Sequence, residues 1–496
     1  MLPGSSIRTP RKAGALGRRS IQKEFLLTRR YLVLSDLHLA DVENHEDGWK
    51  YYKQRRFVPD EELRKLIGEF IRESPEDSRK ILLLNGDVLD FDLISPSKKE
   101  MHFKVSPFER RWGLRPTSEK SVWKIKKILH DHDVFIEALV DLLENEGEIV
   151  YVMGNHDREL HFKEVQDAFL NAVEEKAVVR NVSVDRTRIR FEPWFYYVKG
   201  EIYAEHGQQY DFYTTFRHVL SPVVKGSQGE EIALPMGNIS NRYLMSRMGY
   251  FNPHASDYIL NVFAYITHWL RYYAFSRRSL ALSWFIGSLV VMHRLLRTKR
   301  KRILRPKNYA ELINRQGEKY GLPPERVERL YRLRHQPITN TFFKIIREFW
   351  IDRVVLSALM IGGTIVLALV PIPMWIKLMV PLTGFPLLFF IYESILKGET
   401  VLTVERHMPA RAAQVAKIID DTSIITFGHS HIPRLIPLKA GVSFVDTGTW
   451  APITKGAKGS KGSEERSLDE GYRNYLICTF KDEPSARIEF GSRPVN

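Results

Sequence analysis

The sequence predicts an α/β protein whose sheets are covered by helices and whose chain is interrupted by a long helical insert. Three observations predict this. Short apolar runs alternate with amphipathic helical text over residues 31–160. Each run stops at an Asp, Asn or His beside a Gly or Ser. The same text resumes near residue 411, beyond two uncharged apolar stretches long enough to concern a membrane.

The elements follow in order. Tyr31–Leu34 reads as a buried strand ending at Ser35-Asp36. Asp60 can cap a helix whose Leu63, Ile67, Phe70 and Ile71 keep a 3.6-residue period. Ile81–Leu84 is a second strand, ending at Asn85-Gly86-Asp87. Asp133 can cap a helix through Phe135, Leu139, Leu142 and Leu143, and Ile149–Met153 is a third strand, ending at Gly154-Asn155-His156-Asp157. Runs of this kind suit strands buried on both faces. After Val182 the text turns strand-like, through Trp194–Val198 to Ile202–Ala204, ending at Glu205-His206-Gly207. After the insert, Arg411–Ile419 reads as helix and Ile424–Phe427 as a strand ending at Gly428-His429-Ser430-His431. Ser443–Val445, Tyr475–Phe480 and Ala486–Phe490 complete the strands.

In open α/β sheets, ligands gather at the carboxyl ends of the strands. Five strand ends would therefore bring Asp36, His38, Asp87, Asn155, His206, His429 and His431 to one place. Imidazoles with few carboxylates suit Mn, Fe or Zn better than Mg or Ca. A shared carboxylate would set two ions roughly 3.5–4 Å apart, the spacing used for in-line attack on phosphorus. Singly, Asp36 reads as a cap and Asn155 as a turn residue; the ordered set reads as a metal site. His130-Asp131-His132-Asp133 also looks metal-like, but it precedes a helix and is set aside as capping text. Tyr210 and Asp211 are read as turn contacts.

Asp36-Leu37-His38, Gly86-Asp87, Gly154-Asn155-His156-Asp157, His206-Gly207 and Gly428-His429-Ser430-His431 resemble, in order, the motifs of calcineurin-like metallophosphoesterases. The resemblance covers roughly residues 30–215 and 405–490. It implies a four-layer sandwich of two mixed β-sheets flanked by helices. It implies a first divalent ion on Asp36, His38, Asp87 and His431, and a second on Asp87, Asn155, His206 and His429. Asp87 would bridge, and a hydroxide between the ions would attack a phosphoester or pyrophosphate. His156 would be the general acid, oriented by Asp90, three residues after the bridging Asp87. Manganese is the expected metal, with iron or zinc as alternatives. The Ser35–Leu39 opening and the spacing to His206-Gly207 are also similar to bacterial UDP-2,3-diacylglucosamine pyrophosphatases. Those often carry Arg where this chain has His156.

The expected organisation is a basic tail over 1–30, a first catalytic part over 31–212, an insert over 213–406 and a second part over 407–496. Val354–Val370 is uncharged and would reach about 25 Å as helix, just under the ~30 Å hydrocarbon core. After Pro371-Ile372-Pro373, a second run extends over about 378–396. Trp375 and Lys377 between them suit an interfacial turn. A hairpin of two spans keeps both catalytic parts on one side, as a single site requires. Tyr258–Leu296 reads as interfacial helix, and Phe342–Trp350 as a juxtamembrane helix or part of a lid.

Charge and cysteine usage narrow the partners. The net charge is +15. It concentrates in the tail (Arg8, Arg11, Lys12, Arg18, Arg19, Lys23, Arg29 and Arg30 against Glu24) and in Arg294–Lys307, which has no acid. Beside membrane text, such clusters place the catalytic parts on the cytoplasmic face of the membrane. The lone Cys478 excludes an internal disulfide and a Cys-based metal site. The expected partners are the bilayer and a phosphorylated small-molecule or lipid-linked substrate. A nuclease is the weaker reading, because the basic residues are not interleaved with aromatics around the motifs. A non-catalytic scaffold is weaker too, because every ligand position and the acid are present.

Overall fold

Tyr31, Leu32, Val33 and Leu34 are all fully buried, so the first apolar run has a packed layer on each face. That alternation explains the whole domain. Tyr31, Val33, Ile81, Leu83, Val150 and Val152 face a second sheet, where they meet Tyr196, Ile202, Ala204, Ile424 and Val445. Leu32, Leu34, Leu82, Leu84, Ile149 and Tyr151 face the helices instead.

The computed structural model describes residues 28–45, 49–96, 101–226, 228–247, 270, 280–300, 309–338, 342–348, 351–395, 401–438, 441–452, 472–481 and 486–494. The expected tail through residue 27, most of Tyr258–Phe275 and the basic residues 301–307 lie outside the described residues.

The first catalytic part runs β1 (Arg29–Leu34), α1 (Asp60–Glu73), β2 (Arg79–Asn85), α2 (Pro107–Trp112), α3 (Ser118–Asp131), α4 (Asp133–Glu144), β3 (Glu148–Val152), α5 (Lys163–Val179), β4 (Ile189–Glu192), β5 (Phe195–Val198) and β6 (Ile202–Glu205). There follow β7 (Val223–Gly226), β8 (Gly229–Ile232), α6 (Met236–Tyr243), α7 (Leu280–Arg300), α8 (Tyr309–Tyr320), α9 (Pro324–Arg332), α10 (Phe342–Glu348) and α11 (Ile351–Leu369). Next comes α12 (Met374–Ile395), which contains a π turn at Val380–Gly384. The chain closes with α13 (Val401–Ile419), β9 (Ile424–Phe427), β10 (Arg434–Pro437), β11 (Ser443–Asp446), β12 (Tyr472–Phe480) and β13 (Arg487–Pro494).

One sheet has the order β13-β12-β1-β2-β3-β4 and the other β10-β11-β9-β6-β5. β1 to β4 are mutually parallel, while β12 and β13 add on antiparallel. In the second sheet β6, β9 and β11 are parallel, with β5 and β10 antiparallel at the edges. The two sheets lie on one core, with helices on their outer faces. Two parallel sets thus end at the same rim. Asn85 ties them there, its Nδ2 donating to Glu205 O at 3.1 Å and to Thr426 O at 3.4 Å.

Four local expectations need correction. Pro59, not Asp60, is the N-cap of α1, and the Asp60 carboxylate instead meets His132 Nδ1 at 2.8 Å. Asp133 opens α4 without capping it and pairs with Lys176 at 2.5 Å. His130–Asp133, set aside as capping text, is the junction of α3 and α4, with His132 Nε2 2.7 Å from Ala40 O and Asp131 accepting Val42 N. The last strand begins at Arg487 and runs on to Pro494. Strand β10 and the β7–β8 hairpin were not expected; each of these strands has only four residues and mixes charged with apolar side chains.

Candidate functional site

The loops leaving β1, β2 and β3 bind one another through their backbones. Asp36 N donates to Gly86 O at 3.0 Å, His38 N to Asp87 O at 2.9 Å and Phe91 N to His156 O at 3.1 Å. Gly428 N, after β9, donates to His206 O at 3.0 Å. These loops turn sharply. Asp36, His38, Asp87, His429 and His431 all have positive φ, between 49° and 68°. Non-glycine residues in that region are strained and cluster at functional sites.

The sharp turns aim the side chains inward. Asp36, His38 and His431 offer donor atoms to one group, and Asp87, His206 and His429 to a second. Asp87 and His38 also form a group with His156. In the first group, His38 Nε2 lies 3.1 Å from His431 Nε2, and Asp36 Oδ1 lies 3.3 Å from His431 Nε2 and 3.9 Å from His38 Nε2. Donors bound at ~2.0–2.1 Å to one tetrahedral ion sit roughly 3.4 Å apart. In the second group, His206 Nε2 lies 3.0 Å from Asp87 Oδ2. All seven expected ligand residues are brought to the rim, and Asn155 is among them: its Oδ1 is buried with no hydrogen-bond partner.

Outer contacts set which imidazole nitrogen is free. His206 Nδ1 lies 3.0 Å from Asn85 O, so that nitrogen carries a proton and Nε2 is the one turned to Asp87 and available to an ion. Asp211 Oδ2 is 3.1 Å from His429 Nε2, which leaves Nδ1 as the donor of that ring. The Asp36 carboxylate also accepts His429 N at 3.1 Å, and Asp87 Oδ1 accepts His156 N at 2.7 Å.

The electrostatics ask for cations. Burial works against the Asp36 carboxylate, yet the His206 and His431 imidazoles hold its pKa down to about 2. Asp87 is likewise held well below its ordinary value, by His206 and His156 against the cost of burial. His206 is driven the other way, to about 10, because Asp87 and Asp36 outweigh burial. Protons on imidazole compensate carboxylates that are cut off from water. Divalent ions on the same donors would do so better, and the oxygen and imidazole set suits such ions.

His156 is buried at the edge of this cluster, with its ring 5.0 Å from that of His38. Its Nδ1 faces two carboxylates, Asp90 Oδ1 at 3.5 Å and Asp92 Oδ2 at 3.2 Å. Burial alone would lower this imidazole's pKa, but Asp90 and Asp87 raise it well above the ordinary range. Tyr210 donates to Glu205, beneath His206, rather than reaching the cleft.

Sequence reasoning missed Asp92, Asp211 as partner of His429, and the contribution of α6. Asp92 carried a signal, since it lies two residues beyond Asp90 in Asp87-Val88-Leu89-Asp90-Phe91-Asp92. Asn238 and Arg242 of α6 carried none, because an Asn and an Arg one helical turn apart read as ordinary helix surface.

Parallel strand ends that gather carboxylates and imidazoles into two donor groups, with a buried and unpartnered amide oxygen on the loop after β3, fit a metal-dependent enzyme. A family model described as calcineurin-like phosphoesterase matches residues 29–235. That segment is a calcineurin-like phosphoesterase domain, of a family of metal-dependent hydrolases that bind two divalent ions. His429 and His431 lie beyond the matched residues. No curated protein and no solved structure matches the chain.

Proposed function

We propose that the protein is a membrane-anchored dinuclear phosphohydrolase acting on a phosphoester or pyrophosphate, with a lipid-linked substrate as the reading that best suits its insert. The observation that carries the hydrolase is the pair of donor groups, Asp36 with His38 and His431 and Asp87 with His206 and His429, joined by a further group of His38, Asp87 and His156. Asp36, His38, Asp87 and His431 would hold one ion, and Asp87, Asn155, His206 and His429 the other. When bound, the ions would supply acidified water and the positive charge that in-line attack on phosphorus needs. The protein's own side chains do the rest. Asp87 would serve both ions with one carboxylate. Asn85 and Asp211 fix the ring tautomers of His206 and His429. His156, with Nδ1 turned to Asp90 and Asp92, keeps Nε2 for protonating the leaving oxygen.

The anchor rests on α11 and α12. Both pass for membrane spans by length and hydropathy, and nothing of either span is buried within the protein. Leu359, Leu369, Phe390 and Ile395 stand 67%, 81%, 71% and 75% exposed. Apolar surface of this extent costs about 25 cal/mol per Å² in water, a cost that a bilayer removes. Charged pairs close the base of the hairpin, with Arg353 Nε 2.6 Å from Glu393 Oε1 and Tyr392 donating to Asp352 at 2.7 Å. At its tip Lys377 Nζ reaches Ala368 O at 2.8 Å. The basic clusters favour the cytoplasmic face for the catalytic part.

Metal content and Mn-dependent hydrolysis of bis-p-nitrophenyl phosphate and p-nitrophenyl phosphate test this reading. Asp87→Asn should weaken both sites and abolish turnover, because one carboxylate serves two ions. His156→Ala should keep the metals and lose about 10²–10⁴-fold in rate. A protein that binds no divalent ion would overturn the proposal.

A further inference from the structure

The insert does more than lead to the membrane. α6 lies within it, yet its buried polar face reaches the loops after β2 and β3. Asn238 Nδ2 donates to Asp92 Oδ2 at 2.6 Å and to Asn155 O at 3.0 Å. Arg242 Nε donates to Asp92 Oδ1 at 2.8 Å. Its Nη2 also donates to Glu159 at 2.7 Å. Asp92, Asn238, Arg242 and Glu159 are all buried.

We infer that α6 is a positioning part of the catalytic site: Asn238 and Arg242 place the Asp92 carboxylate, and Asp92 is the principal holder of the His156 imidazole. The inference rests on the reading of His156 as proton donor. Three arguments support it. Asp92 is the nearer carboxylate to Nδ1, at 3.2 Å against 3.5 Å for Asp90. Asp90 Oδ1 already carries two other donors, Asp92 N at 2.8 Å and Leu93 N at 3.2 Å, against one, Asn238 Nδ2, on Asp92 Oδ2. Finally, a buried carboxylate needs a cationic partner, and Arg242 Nε meets Asp92 Oδ1 directly. Lys124 Nζ, 3.6 Å from Glu159, completes a balance of two cations and two anions around that guanidinium. A carboxylate on Nδ1 fixes the proton there and leaves Nε2 as the working nitrogen. Asn241, also on α6, brings Nδ2 to 3.4 Å from that Nε2. The imidazole is thus addressed at both nitrogens, and in each case α6 takes part.

The test uses the full-length chain in detergent, labelled with ¹⁵N-histidine and loaded with zinc as a diamagnetic ion. The Nδ1–H resonance of His156 is assigned by its loss in His156→Ala. It should survive Asp90→Asn and be lost or shifted upfield in Asp92→Asn and Arg242→Gln, with zinc content unchanged. Asn238→Ala should give the same shift if the charge change at Arg242 prevents folding. Survival of the resonance in Asp92→Asn, or its loss in Asp90→Asn alone, overturns the inference. In kinetics, Asp92→Asn should slow phenyl phosphate about tenfold more than p-nitrophenyl phosphate, because only the poorer leaving group needs the proton. An equal loss on both esters would mean a merely structural contact. A wild-type protein that hydrolyses no ester would count against the phosphohydrolase reading, and the resonance alone would then judge the role of Asp92.

Discussion

Gly428 lacks a side chain because its neighbour leaves no room for one. A Cβ there would stand 2.4 Å from Asp36 Oδ2, and at Gly154 it would stand 2.1 Å from Asp87 Oδ1. Each glycine sits beside an expected ligand of its own loop and is pressed by a carboxylate from another. The loops can interlock only at this spacing, so the glycine and the carboxylate are one device. Gly428→Ala should push Asp36 aside and weaken divalent-ion binding by about 10–100-fold, the range seen when a ligand's supporting contacts are lost. Calorimetric metal titration of the folded variant checks this. Unchanged affinity would show that Asp36 can move without cost.

Between β1 and α1, the described residues among 41–57 form no long element, and the buried cation of Lys53 ties several of them together. Lys53 Nζ lies 2.5 Å from Asp41 Oδ1 and 2.6 Å from Glu43 Oε1, and donates to Leu93 O at 3.0 Å. This ties the segment to the exit of β2, next to the candidate site. Burial opposes ionisation of Glu43, but Lys53 and Lys50 hold its carboxyl well below the ordinary 4.5. A depressed folded pKa contributes stability above the unfolded value and loses it as pH falls. Acidification below about 4.5 should therefore begin to loosen this segment. Lys53→Met leaves two carboxylates facing each other, and should destabilise the fold at pH 7 by about 3 kcal/mol. The deficit should shrink toward pH 3, as the carboxylates become neutral. Thermal unfolding at both pH values reads this out, and a deficit independent of pH would assign the role of Lys53 to packing.

The whole molecule joins two distant stretches of chain at one rim and sends a hairpin away from it. Between them, α10 leads toward α11, and Glu348 at its end accepts from Tyr213, two residues after Asp211. α7, expected as interfacial helix, buries Val291 and Leu295 in the protein core and sets Gly287 against Leu244, just after α6. The insert therefore has a domain-facing part and an outward part. Replacing residues 354–396 with a short linker removes only the outward part. It should free the protein from membranes while keeping metal binding, because α6, α7 and α10 remain. Carbonate and high-salt extraction measure the first, and metal content the second. A deleted protein that still resists carbonate extraction would place the anchor elsewhere.

The strand ends and their order were legible from the amino acids alone. An apolar run long enough for a strand, closed by Gly and a polar residue, has little freedom in how it folds, and five such runs in order leave few arrangements. Asp36, His38, Asp87, Asn155, His206, His429 and His431 were readable as one group on that ground, and His156 through the family resemblance; the two apolar helices were readable from composition. Tertiary structure decided what contacts across the chain decide. It chose Asp92 beside Asp90 as a neighbour of His156, brought Asn238 and Arg242 more than eighty residues along the chain to reach it, and turned Asp60 from a cap into the partner of His132. Local sequence encodes the period of an element and the chemistry of its ends. Which buried charge meets which is settled only when the elements pack, because compensation in a dry interior depends on distance in space.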